Sequence, residues 1–246
     1  VAWILQPPRR MPWPNRIRDG AYSFDGRDLQ LALTEPKRSN ASHGLARWAA
    51  WTLEERTEHS VSMQYRLMAQ TGYPWLVDLH VLYDLSADGL TVTQTATNLS
   101  PSPAPYASGA HPYLTVGDGP VDSWELRLPA ATRSITDERL IPVRTENVAG
   151  TPYDFREPRV LGDVALNHGF TDLERDETGR ATTSLRDPDT GRALELWVDG
   201  LLVETVAVES AATAASLTWT GPVDRSAVGV ARGADWAVSA PITRGP

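Results

Sequence analysis

Hydrophobic and polar residues alternate along much of this chain with a period of two. From Leu76 to Leu85, Val77, Leu79, Val81, Tyr83 and Leu85 alternate with Asp78, His80 and Asp84, with Leu82 out of step. Leu90, Val92 and Ala96 then alternate with Thr91, Thr93, Thr95 and Thr97. Successive side chains of a strand point to opposite faces, so the pattern predicts half-buried strands. Ser86-Ala87-Asp88-Gly89 supplies turn residues between the two runs and predicts a hairpin. A second hairpin is predicted from Ala21 to Phe24 and Leu29 to Leu33 around Asp25-Gly26. A third runs from Thr182 to Arg186 and Ala193 to Val198 around Asp187-Pro188-Asp189-Thr190-Gly191, and Val61 to Leu67 is a further strand.

No segment sustains a helical period beyond about three turns. Strands at short spacing with Gly, Pro and Asp turns predict an all-β sandwich. The proline-rich stretch Ser100 to Pro105 reads as a connection between strands, and no internal repeat stands out, so residues 1–246 are read as one domain. From Leu201 onward the chain turns rich in Ala, Thr, Ser and Val. There Leu201 to Val208, Ser216 to Thr220 and Trp236 to Ala240 are the strand candidates.

Composition narrows the function classes. A net charge of -8 argues against nucleic acid or an anionic membrane as the main partner. Cysteine is absent, which excludes a disulfide framework, a thiolate metal site and a cysteine nucleophile. The five histidines show no short spacing of the kind that lets neighbouring positions share a metal, so no metal site is expected. No apolar run is long enough to span a bilayer, and Val1 to Arg10 lacks the order of a signal peptide. Cytoplasmic location is therefore the default expectation. The chain opens without Met, which points to an upstream segment. Nine tryptophans are an unusual count, and most are expected in the core, with one or two on a ligand surface.

Three polar clusters carry the candidate chemistry. In Pro12-Trp13-Pro14-Asn15-Arg16-Ile17-Arg18-Asp19-Gly20, two prolines fix the backbone ahead of an amide and a guanidinium, a planar set of donors with an acceptor. In Asn40-Ala41-Ser42-His43-Gly44-Leu45-Ala46-Arg47-Trp48, a glycine after the histidine permits unusual backbone geometry. In Ser108-Gly109-Ala110-His111-Pro112-Tyr113-Leu114, proline pushes His111 toward extended geometry amid small neighbours. An imidazole held there can donate or accept a proton near neutral pH. Singly, each cluster also admits a plain structural reading: a surface loop with an Arg–Asp pair, or a solvated loop histidine.

Together and in order, Pro14-Asn15-Arg16-Ile17, His43-Gly44 and Gly109-Ala110-His111-Pro112-Tyr113 resemble the aldose 1-epimerase (galactose mutarotase-like) family. Leu166-Asn167-His168-Gly169-Phe170 adds a weaker match. The resemblance implies a β-supersandwich of large twisted antiparallel sheets and a cofactor-free interconversion of the α and β anomers of a free hexose. A glutamate base takes the anomeric hydroxyl proton while a histidine acid protonates the ring oxygen, and the ring opens and recloses. By the same resemblance, His111 is the acid, His43 a second histidine near the ring oxygen, and Asn15, Arg16 and Asn167 bind sugar hydroxyls. Asn167 stands where the family usually has an aspartate. Glu209, in Val206-Ala207-Val208-Glu209-Ser210, is the best candidate for the base, with Glu204 as a fallback. Oligomeric state is unmarked in the sequence. Two alternatives stay open: a sugar-binding relative without a base, and a hexose-phosphate epimerase using Arg18 and Arg47.

Overall fold

The computed structural model describes residues 10–198 and the strand backbones 205–211, 214–220, 229–230 and 235–244. Its elements are strands, apart from two single-turn 3-10 segments at Pro36–Arg38 and Val121–Ser123. Two antiparallel sheets dominate. The larger has nine strands, in the order Arg159–Val160, Glu125–Arg127, Ala181–Arg186, Ala193–Val198, Asp235–Arg244, Gly89–Asn98, Val77–Ser86, Ser60–Leu67 and Thr52–Arg56. The other has seven: Gly109–Ala110 and Tyr113–Leu114 both pair with Ala214–Thr220, followed by Thr205–Ala211, Asn167–Leu173, Ala130–Thr136 and Pro142–Asn147.

The alternation read from the sequence is the burial pattern of the strands. Val77, Leu79 and Val81 are buried, while Leu82, out of step, is exposed. Ser86 pairs with Gly89 across a two-residue loop, as the turn residues require. At Asp25-Gly26 both central residues have positive φ, 51° and 69°, the twist that matches a tight hairpin to its flanking strands. That second hairpin differs from expectation at its far end. Its return strand is Arg27–Gln30, and Leu31, whose amide still donates to the Gly20 carbonyl at 2.8 Å, is buried in the core. The candidate at Leu201 to Val208 is a strand from Thr205 to Ala211, while residues 201–204, Glu204 among them, lie outside the described residues.

Two apolar clusters hold the layers together. The first draws Ala110, Leu114, Ala130 and Phe170 from the seven-stranded sheet against Leu126, Ala181, Leu185, Leu194, Leu196 and Val198 from the nine-stranded one. Trp124 and Phe155 fill the space between them, at 0% and 1% exposure. Residues from both sheets in one buried cluster make this a face-to-face sandwich. The second cluster places Met11, Trp13 and Leu31 against Leu67, Tyr73, Trp75, Val77, Leu79 and Val81. It seats the chain segment that carries Asn15 and Arg16 on the nine-stranded sheet.

Candidate active site

Backbone hydrogen bonds gather the three polar clusters into one place. Arg10 bridges Gly109, and the Ala107 amide donates to the Pro12 carbonyl at 2.8 Å. The Met11 carbonyl accepts from Leu45 at 2.7 Å and from Ala46 at 3.1 Å. The His43 amide donates to the Asn15 carbonyl at 2.8 Å, and Arg16–Arg18 pairs with Asn40–Ser42. The loops bearing His111, His43 and Asn15-Arg16 are therefore immediate neighbours, although the sequence separates them by up to about a hundred residues.

Glycine makes one of these approaches possible. Gly44 has φ of 73°, and a side chain there would overlap the Met11 carbonyl. His43 before it also sits in the left-handed region, at φ 64°. Its Nδ1 lies 3.0 Å from the Pro14 carbonyl, which can only accept, so Nδ1 carries the proton and Nε2 the lone pair. Burial, reinforced by the positive charges of Arg10, Arg16 and Arg47, pushes the His43 pKa down to about 4. His43 is thus a neutral acceptor at neutral pH.

His111 is half-buried between two short strands and stacks at 5.1 Å on Tyr113. Ser108, Gly109, Ala110 and Pro112 around it are buried, so its backbone is held in place. Gly109 and Ala110 pair with Thr220 and Trp219, and Tyr113 and Leu114 with Ser216 and Ala215, in one unbroken register. That register leads on across the sheet. Ser216 pairs with Glu209, and Glu209 with Asn167. Tyr113, Ser216, Glu209 and Asn167 therefore form one row across four strands, with His111 two residues from its end.

Arg16 is half-buried and already engaged. Its Nε donates to Glu35 Oε2 at 2.7 Å, its Nη2 to Glu35 Oε1 at 3.2 Å, and its Nη1 to Asn15 Oδ1 at 3.3 Å. The Arg–Asp pairing anticipated for this loop exists, with different partners. Arg18 binds Asp137 at 2.8 Å, and Asp19 receives Arg139 at 2.7 Å. Arg47 lies 5.0 Å over the ring of Trp48, and both are exposed. Trp48, at 84% exposure, is the outlier among the described tryptophans, and Trp13, Trp75 and Trp124 are core.

Asn167 is exposed, and His168 beside it approaches the Arg133 Nη1 at 3.5 Å and packs edge-on against Tyr153 at 4.9 Å. Arg133 pairs in register with Phe170, a core residue, so His168 belongs to the opposite face from Asn167. No cluster of three or more His, Asp or Glu side chains fit for a metal stands among the described residues. Glu35 and Arg139 were not singled out in the sequence, because charged residues in turns carry no signal that separates an anchoring group from a solvated one.

The aldose 1-epimerase family model matches residues 7–203. The chain belongs to the aldose 1-epimerase family. It is 34% identical over 161 residues to the uncharacterised YihR of Escherichia coli K12, covering 65% of this chain and 52% of that protein. It is 28% identical over 195 residues to human galactose mutarotase, covering 74% and 56% respectively. The chain thus spans about half the length of these curated relatives. Among solved structures, a galactose mutarotase-like protein from Clostridium acetobutylicum superposes with a TM-score of 0.81 at 16% identity, over 94% of this chain and 77% of that one. That likeness confirms the all-β sandwich expected from the family resemblance.

Proposed function

We propose that this chain interconverts the α and β anomers of a free hexose, with His111 as general acid and Glu209 as general base. The register row carries this reading. Glu209 lies two strands from the His111 segment and two residues along, roughly 12 Å between Cα atoms at ordinary strand dimensions. That span accommodates a pyranose ring between an imidazole and a carboxylate. The base takes the proton of the anomeric hydroxyl as the acid protonates the ring oxygen, and the bond from anomeric carbon to ring oxygen breaks. The aldehyde rotates, the ring oxygen attacks either face, and both protons return.

Within this site His43 serves as a hydrogen-bond acceptor. A neutral ring whose only proton is committed to Pro14 has none to give the ring oxygen, so His43 accepts a hydrogen bond from a sugar hydroxyl at Nε2. Asn15, Arg16 and Asn167 bind the other hydroxyls. Asn167 accepts without a charge, and charge-assisted bonds are roughly twice as strong as neutral ones, so its contribution is modest.

Polarimetry on freshly dissolved α-glucose and α-galactose tests the reading. Acceleration that falls about 100- to 10,000-fold in both His111→Ala and Glu209→Gln, with the fold intact, supports it. Sugar binding without acceleration by the wild type would sink it in favour of a binding protein. A hexose phosphate far outcompeting the free sugar would replace the substrate.

A further inference from the structure

Arg16 is aimed by its surroundings. Of its five N–H groups, three are committed to Glu35 and Asn15 among the described residues, which leaves one on each terminal nitrogen. The two bonds to Glu35 form a fork, so the guanidinium plane cannot turn without breaking both.

Glu35 is itself held from several sides. Its carboxylate accepts from Arg38 Nη1 at 3.0 Å and Asn40 Nδ2 at 3.3 Å. Its backbone exchanges hydrogen bonds with that of Asn40, at 3.0 and 3.3 Å. Asn40 is completely buried, and its Nδ2 also donates to the Arg139 carbonyl at 2.9 Å. Arg139 sits at the tip of the hairpin between Ala130–Thr136 and Pro142–Asn147. Its side chain donates to the Arg38 carbonyl at 2.8 Å, the Ser39 carbonyl at 2.6 Å and Asp19 Oδ1 at 2.7 Å. Arg18 reaches back to Asp137 on the same tip.

This hairpin is an extension of the sheet that carries the other candidate groups. Ala130–Thr136 pairs with Asn167–Leu173, which pairs with Thr205–Ala211. A continuous chain of contacts therefore runs from the strands of Asn167 and Glu209, through the hairpin tip, to the guanidinium of Arg16. Arg16 comes from the segment seated on the other sheet, so its position relative to Glu209 needs such a tie.

We propose that Glu35, anchored through Asn40 to Arg139, is the positioning residue that sets the Arg16 guanidinium for the sugar. This rests on the assignment of Arg16 to sugar binding. Glu35 touches no reacting atom, and its effect passes through Arg16. A carboxylate held near pKa 2 by Arg16 stays charged throughout the working range, so the clamp does not loosen with pH.

The test is polarimetric kcat and KM for the wild type, Arg16→Lys, Glu35→Gln, Glu35→Asp, Arg139→Met and the double variant Arg16→Lys/Glu35→Gln, beside their urea midpoints. Glu35→Gln is expected to raise KM about tenfold with kcat nearly unchanged, the scale of one lost charge-assisted hydrogen bond. Glu35→Asp recovers part of this, and Arg139→Met raises KM in the same direction by a smaller factor. The double variant is expected to be no worse than Arg16→Lys, because neighbours acting through one group are not additive. If Arg16→Lys raises KM and Glu35→Gln shifts only the midpoint, the positioning role is wrong and the sugar-binding role of Arg16 stands. If Arg16→Lys leaves KM unchanged, or the wild type has no activity, both fall together. Should Glu35→Gln fail to fold, Glu35→Asp and Arg139→Met read the same KM.

Discussion

Replacing His43 with asparagine is expected to flatten the acid dependence of stability. In the unfolded chain the imidazole titrates near 6.5; in the folded chain burial and then Arg10 hold it at about 4. As pH falls from 6.5 toward 4, the unfolded chain takes up a proton that the folded chain refuses. Stability is therefore complete above pH 6.5, declines through this window and levels off below it. At roughly 1.4 kcal/mol per pH unit, the whole window is worth about 3 kcal/mol, a large share of a domain's typical ~5–15 kcal/mol. Asparagine cannot titrate and tolerates the left-handed backbone that His43 adopts at φ 64°, so it removes the proton site with little added strain. Urea unfolding of wild type and His43→Asn at about pH 7, 5.5 and 4 provides the measurement. Carboxylates that titrate in the same range cancel in the difference between the two proteins. The wild type should lose about 3 kcal/mol more than the variant between pH 7 and 4. Parallel losses would falsify the account of His43 as a buried neutral acceptor.

Gly44→Ala is expected to cost about 3 kcal/mol or more and to displace His43, because the new carbon meets the Met11 carbonyl at a φ of 73°; urea midpoints and sugar affinity report the two effects. Phe170→Ala should cost about 3–5 kcal/mol, since the ring is 1% exposed in the cluster shared by both sheets, as read by the shift in denaturant midpoint. Mutarotation by the wild type should decline as pH falls toward 4 and His43 takes on a proton; a pH–rate profile with no acid limb there would remove His43 from the sugar site.

The local content of this fold was legible in the alternation. Val77, Leu79 and Val81 announced a strand with one apolar face, and Asp25-Gly26 a tight hairpin, because strand period and turn chemistry are properties of a few adjacent residues. The motif residues were legible as a set, since Asn15-Arg16, His43-Gly44 and His111-Pro112 occur in one order along the chain. The limit appeared at Leu31. It continues the apolar pattern of its strand, yet the strand ends at Gln30 and Leu31 packs into the second core cluster, which offers more burial than a two-stranded ribbon does.

The sequence by itself determined the class of structure, the all-β character and the histidines, amide and guanidinium from which a sugar site is read. The tertiary structure alone decided which strands pair, and so that Asn167, Glu209, Ser216 and Tyr113 share a row. It also decided that burial lowers the His43 pKa, that Arg16 pairs with Glu35 across 19 residues, and that Asn40 meets Arg139 across 99. The reason is physical. Alternation and turn preference act over a few bonds and are written in neighbouring residues. Register, desolvation and ion pairing depend on which distant segments the burial of apolar surface brings together.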